Sequence, residues 1–200
     1  MSEKLVWVDC EMTGLDLGSD ALVEVACVVT DGELTELDAG VTVVIRPPDE
    51  PFADMPDVVR EMHTASGLIT EIPEGTTLEA AQALVLDYIK SHVPEARKVP
   101  LCGNSIGMDR RFLSAYLPDI ENFLHYRSID VSSVKELAKR WYPRRLAARP
   151  HKTGSHRALD DIRESVAELA FYRQMCFMPP ESAESAVVDG PAASGVPPRP

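Results

Sequence analysis

The run Val6-Trp7-Val8-Asp9-Cys10-Glu11-Met12-Thr13-Gly14-Leu15 constrains this chain most, because an apolar segment near its start ends in two acids spaced i, i+2. If Leu5 to Val8 form a strand whose end stays extended, that spacing puts Asp9 and Glu11 on one face. Two carboxylates held that close repel, so one must keep a proton or the pair must gather a cation. A divalent metal ion satisfies both at once. Taken alone, a D-x-E pair is also what a solvated turn after a strand looks like, and features further along decide between the two.

The chain has 200 residues and 44% hydrophobic content, enough for one well-buried domain. Leu5 to Val8, Ala21 to Asp31 and Leu34 to Arg46 are rich in Val, Ile and Leu and are separated by Gly-containing turns such as Asp31-Gly32. They predict a three-stranded antiparallel meander. Pro47-Pro48 breaks the third strand, and Asp54 to Ser66 then reads as a short helix. Thr76-Thr77-Leu78-Glu79 reads as a capping box for a helix through His92, with apolar positions at Leu78, Ala81, Val85, Tyr88 and Ile89. Strands at Val99 to Cys102 and Tyr126 to Ile129 each feed a helix, Ile106 to Leu117 and Ser133 to Trp141. The second of these is expected to open with the capping box Ser133-Val134-Lys135-Glu136. A final helix runs from Ala158 to Met178.

Antiparallel strands first, then strands alternating with helices, predict an α/β fold: a mixed sheet covered by helices on both faces. This is the element order of a ribonuclease H-like fold. Residues 179–200 are Pro, Ala, Ser, Gly and acid, which cannot bury enough apolar surface to order themselves. The expected organisation is a domain over residues 1–178 and a disordered tail over 179–200.

A formal net charge of -12 argues against non-specific binding to long nucleic acid, which needs a basic surface. The charge is segregated, however. From Lys139 to Arg157 there are seven Lys or Arg and no Asp or Glu, so this segment is either a basic flap for a small anionic substrate or a solvated loop. The N-terminus has no charged region followed by a long apolar stretch, and no apolar run approaches the roughly 18 residues of a membrane span. Cys10, Cys27, Cys102 and Cys176 show no C-x-x-C pairing and read as reduced, buried thiols. The expected location is the cytoplasm, with no membrane partner.

Two further features complete the pattern. Asp109, in Gly103-Asn104-Ser105-Ile106-Gly107-Met108-Asp109, falls in the first turn of a helix leaving a strand end, a usual location for sites in α/β sheets. His156 and Asp161 bracket the start of the final helix as H-x4-D. Each alone also serves as a helix N-terminal signal. In this order and on these elements, the acids and the histidine resemble the DEDDh family of 3'-to-5' exonucleases. The resemblance implies Asp9, Glu11, Asp109 and Asp161 as metal ligands and His156 as base. Asp160 offers an alternative fourth ligand, though the spacing favours Asp161.

Within that family, Asp9-Cys10-Glu11-Met12-Thr13-Gly14-Leu15 is similar to a narrower group, the oligoribonucleases. The likeness continues through Met62-His63-Thr64-Ala65-Ser66-Gly67-Leu68, the G-N-S-I-G-x-D-R-R-F-L segment, His125-Tyr126-Arg127-Ser128-Ile129-Asp130-Val131-Ser132 and Lys135-Glu136-Leu137, covering residues 4 to 178. The chemistry can be reasoned from the residues. Cleaving a phosphodiester needs an activated water, a stabilised anionic phosphorus and help for the departing 3'-oxygen, and two Mg²⁺ or Mn²⁺ ions about 3.5 to 4 Å apart supply these. Four carboxylates are enough to hold them. A histidine with an ordinary pKa near 6.5 is suited to take the proton.

The resemblance also implies a homodimer acting on short single-stranded RNA, down to dinucleotides. It implies that Leu15 wedges between the two bases, that Ser105, Arg127 and Ser132 cap the 5'-phosphate, and that His63 and Tyr126 approach the substrate from the partner subunit. Each residue has a local alternative: Leu15 as core, Arg127 as a solvated strand end, Ser132 as a helix cap, Tyr126 as a half-buried aromatic. A capping box at Ser133 would leave Ser132 available for phosphate. Two other readings compete. One is a single-stranded DNA exonuclease or proofreading subunit, against which the H-Y-R and M-H-T-A-S-G-L segments argue. The other is a nucleotide-binding module without turnover, against which the complete set of acids and the histidine argues.

Overall fold

Strand β1 (Leu5–Met12) lies at the centre of a five-stranded sheet of order β3-β2-β1-β4-β5. The computed structural model describes residues 4–148 and 154–177. Strand β2 (Leu22–Thr30) pairs antiparallel with β1 and with β3 (Val41–Val44), while β4 (Pro100–Gly103) and β5 (His125–Asp130) continue parallel on the other side. The α/β class and the mixed sheet expected from the sequence are what the chain forms.

Alternation along β1 creates two cores. Val6, Val8, Cys10 and Met12 join Val25, Cys27 and Val29 of β2 on one face, covered by α4 (Leu78–His92), α5 (Gly107–Tyr116) and α6 (Pro118–Phe123). Trp7, Ala26, Val28 and Cys102 form the other face, covered by α7 (Val131–Trp141) and α8 (Ala158–Cys176). The fully buried Trp7 donates its indole N–H to Thr30 Oγ1 at 3.1 Å, so this large residue is sealed without an orphaned donor. The next positions on the Trp7 side of β1 are Asp9 and Glu11.

The boundaries differ from the expected ones where side chains cap the backbone. The third strand is shorter than 34–46 because Asp31 Oδ1 accepts from the N–H groups of Glu33 and Thr35, each at 2.9 Å, and folds residues 31–35 into a turn. Residues 54–66 do not form one helix: α1 (Asp49–Ala53) ends before Pro56 and α2 (Asp57–Ala65) begins after it. The short helices α3 (Leu68–Glu71) and α6 were not expected. Helix α7 starts two residues early, since Asp130 rather than Ser133 is its cap and accepts from Ser132 N at 2.8 Å. The expected end of the last helix at Met178 and the tail 179–200 lie outside the described residues.

The cap of α4 sits one residue later than a Thr76 capping box requires. Thr77 Oγ1 accepts from Ala80 N at 3.2 Å, while Thr76 bridges to Ile45 through its backbone. Thr77→Ala should therefore cost about 1 kcal/mol and lower the melting temperature by roughly 2–4 °C. Thr76→Ala should stay within about 0.5 kcal/mol in the same thermal scan. The reverse order would return the cap to Thr76.

Candidate active site

The i, i+2 spacing does what extended backbone requires: Asp9 and Glu11 point to one side of β1, opposite Ala26 and Glu24 of β2. A register shift between Glu11 and Met12 ends the regular ladder just beyond them. Asp161, one turn into α8, reaches the same place, so that Asp9, Glu11 and Asp161 each offer an oxygen within 4.8 Å of the others. Asp160 is exposed and outside this group. Asp109, in the first turn of α5, is buried beside it and accepts from Cys10 N at 3.1 Å. The four acids thus come from β1 and from the first turns of two helices.

Burial is the largest influence on these groups, and their mutual repulsion adds to it. The Asp9 carboxyl is pushed well above its usual range by burial, then by Asp109, Glu11, Asp161 and Glu24. Glu11 rises to about 8 through burial, then Asp161, Glu24 and Asp109, with Arg157 opposing. Asp109 rises to about 6 through burial, against which its own backbone N–H and that of Cys10 work. Deprotonated acids packed this closely, with hard oxygen donors converging within 4.8 Å, fit a divalent cation.

Glu24 is a functional-site residue that the sequence reading missed. It is fully buried, and its carboxylate accepts from Arg157 Nε at 3.0 Å, Arg157 Nη2 at 2.8 Å and Ala158 N at 2.9 Å. It therefore caps α8 from the neighbouring strand. Arg157 extends the link to Glu71 of α3, at 2.8 Å. The available signal was a lone acid inside the apolar strand Leu22-Val23-Glu24-Val25-Ala26. His156, directly before this clamp, is exposed and held at a left-handed φ of 52°.

The expected substrate residues divide. Leu15 is 65% exposed and Tyr126 71% exposed, which excludes a core leucine and a half-buried aromatic. Arg127 is exposed on β5 with its guanidinium 5.6 Å from the Tyr126 ring centroid. Ser105 N donates to Asp130 Oδ1 at 3.0 Å, and Ser132 donates to the same oxygen from both its N–H and, at 2.6 Å, its hydroxyl. Asp130 thereby brings the two serines together, but the Ser132 hydroxyl is already engaged rather than left for phosphate. His63 corrects a further expectation. It is fully buried in its own chain, with Nε2 donating to Met12 O at 2.9 Å and Nδ1 lying 3.9 Å from Glu11 Oε2, so it cannot extend toward a partner's substrate. Burial lowers its pKa and keeps it neutral.

The basic segment is partly neutralised where it is described. Lys139 and Arg140 pair with Glu136 at 2.6 and 2.7 Å, and Arg157 pairs with Glu24 and Glu71. Residues 149–153 of the segment lie outside the described residues.

Comparison with known proteins finds relatives over most of the chain. The exonuclease family RNase_T matches residues 6–169. The oligoribonuclease of Streptomyces avermitilis is 58% identical over 185 residues, 92% of each chain. That of Cutibacterium acnes is 52% identical over 94% of each chain, and that of Mycobacterium tuberculosis is 51% identical over 98% of this chain and 93% of its own. Among solved structures, E. coli exonuclease I in complex with a dA16 oligonucleotide superposes with a TM-score of 0.66 at 14% identity. The match covers 87% of this chain and 41% of that one, and it shows the shared ribonuclease H-like fold.

The electrostatics fix a sign for stability against pH. A carboxyl whose pKa is higher folded than unfolded favours the folded state while protonated, and that advantage is lost as pH rises through the folded value. For Glu11 the window runs from the ordinary 4.5 to about 8. Without metal, Asp9→Asn should raise the melting temperature by roughly 3–8 °C at pH 8.5 and by almost nothing at pH 4.5. Adding Mn²⁺ at pH 8.5 should stabilise the parent far more than the variant. Equal gains at both pH values would mean that repulsion at this site is not what the substitution relieves.

Proposed function

This chain belongs to the RNase_T exonuclease family and, within it, to the oligoribonucleases, and from that premise we propose a 3'-to-5' exoribonuclease that degrades very short RNA, down to dinucleotides, to 5'-mononucleotides. That it is a hydrolytic exonuclease acting on phosphodiester bonds follows from the family. The observation that supports metal-dependent hydrolysis is the meeting of Asp9, Glu11 and Asp161 within 4.8 Å, with Asp109 beside them, and the preference for short RNA rests on the oligoribonuclease relatives. These four residues would hold two Mg²⁺ or Mn²⁺ ions. When bound, the ions would neutralise the phosphate oxygens and favour formation of the attacking hydroxide.

The protein's own groups do the rest. His156, exposed and directly before the Arg157 clamp at the start of α8, accepts the proton of the attacking water through a ring nitrogen. Glu24 holds the residues that follow it, Arg157 and Ala158, in place. Leu15 meets the bases, while Ser105 and the Arg127 fork take the terminal 5'-phosphate. Ser132 joins them by exchanging Asp130 for phosphate oxygen. Tyr126, on the edge strand β5, and Leu137 and Trp141, exposed on α7, support a homodimer in which Tyr126 reaches the partner's substrate. Cys10, Cys27, Cys102 and Cys176 are free, which fits a cytoplasmic location. No helix among the described residues is long and apolar enough to cross a membrane. Residues 1–178 form the nuclease in this reading, and the tail 179–200 adds nothing to catalysis.

His156→Asn should lower turnover by roughly 100- to 10,000-fold and flatten the acid limb of the pH profile. Calorimetric Mn²⁺ affinity should stay within about twofold, because the four acids remain. An intact acid limb would assign the base to another group.

Arg127→Ala should reduce kcat/KM on a 5'-phosphorylated RNA dinucleotide by roughly 10- to 100-fold, the range for charged hydrogen bonds. The loss should be much smaller on a longer oligomer, whose other phosphates offer contacts. A length-independent loss would remove the terminal-phosphate role, and faster cleavage of the matching DNA dinucleotide would replace RNA as the substrate.

A further inference from the structure

Leu15 is held out into solvent by a loop whose polar groups are spent almost entirely on its own shape. The Asp20 carboxylate lies at its centre: Oδ1 accepts from Thr13 Oγ1 and Oδ2 from Asp16 N, both at 2.9 Å. Thr13 Oγ1 in turn accepts from Ala21 N at 3.0 Å, and Thr13 N donates to Ala21 O at 2.9 Å, closing the loop's base. Asp16 O accepts from Asp20 N at 2.7 Å, and Asp16 Oδ1 accepts from Gly18 N at 2.8 Å. Gly14 has no room for a side chain, since a Cβ there would lie 2.4 Å from Asp20 Oδ2. The loop is anchored outside itself as well. The Tyr116 hydroxyl donates to the carbonyls of Asp20 and Leu17, at 2.6 and 3.2 Å, and Tyr116 ends the helix whose first turn carries Asp109.

An exposed leucine on a slack loop would collapse onto nearby apolar surface, or would have to be ordered each time a ligand bound. Here both costs are already met by the fold. We infer that Asp20 is a positioning residue: through Thr13, Asp16 and the close approach of Gly14 it fixes Leu15 as a rigid apolar platform for a nucleobase, and so sets how strongly the enzyme depends on the second base of its substrate. This rests on the exoribonuclease reading above, in which Leu15 meets the bases.

The test compares kcat/KM on an RNA dinucleotide with that on an analogue whose 5' nucleoside has no base. Asp20→Asn keeps the size but forfeits one of the two accepted bonds; Gly14→Ala keeps the carboxylate but displaces it. Each should lower kcat/KM on the dinucleotide roughly tenfold, the order of one lost apolar contact, with the loss in KM. On the base-less analogue each should stay within twofold of the parent. Leu15→Ala supplies the limiting ratio between the two substrates. Tyr116→Phe, which removes only the hydroxyl, should shift the ratio the same way, and it stands in if either loop variant fails to fold. Equal losses on both substrates, or none, would overturn the role of Asp20. If Leu15→Ala leaves the ratio unchanged, it is the base contact of Leu15 that fails. If the parent does not cleave the dinucleotide, the exoribonuclease reading fails first.

Discussion

Carboxylates that share a buried pocket raise one another's proton affinity, and the architecture around β1 is organised to hold them there regardless. Burial, the largest contribution to the raised values of Asp9, Glu11 and Asp109, follows from placing β1 in the middle of the sheet with a packed apolar layer on each face. Neither acid of β1 can escape by a rotation of the strand, because the alternate positions Val8, Cys10 and Met12 are fixed in the opposite core. Apolar packing thus supplies the force that keeps like charges together. The electrostatic cost is offset only by a proton or a cation.

The remaining polar contacts read as supports for that arrangement. The Cys10 N–H, at the strand's end, is turned to Asp109, and the first turns of α5 and α8 bring their positive ends toward the cluster. Glu24 adds a further negative charge that raises Asp9 and Glu11, and its own oxygens are bonded by Arg157 and the start of α8. Arg157 thereby balances a buried anion and secures the helix that delivers Asp161. A charge that looks, in the sequence, like part of a basic flap is an internal fastener.

Much of this was legible in the residues because periodicity and acid spacing are local. The i, i+2 acids, the element order and the two-sided sheet each follow from patterns within a few residues of one another. What escaped depends on contacts that no local pattern records. Glu24 meets Arg157 across 133 positions, Arg157 meets Glu71 across 86, and His63 meets Met12 across 51. The cap Thr77 and the helix start Val131 differ from the expected Thr76 and Ser133 by one and two residues, since several neighbouring Ser, Thr and Asp side chains could each serve as the cap. For Ser132 the boundary bears on chemistry as well, because the cap Asp130 accepts from its hydroxyl, which must give up that bond to reach a phosphate.

Helix α8 closes the Trp7 face of the sheet and delivers Asp161 in the same docking event. During synthesis on the ribosome, strands β1 to β5 and the first three acids emerge well before this segment does, with α7 alone available to cover Trp7, Val28 and Cys102 meanwhile. Pairing residue 7 with partners near residue 166 is a long loop closure, and such contacts form late in folding. The nascent chain therefore carries an incomplete acid cluster until its last helix has emerged. The four acids are brought together only as the core becomes sealed.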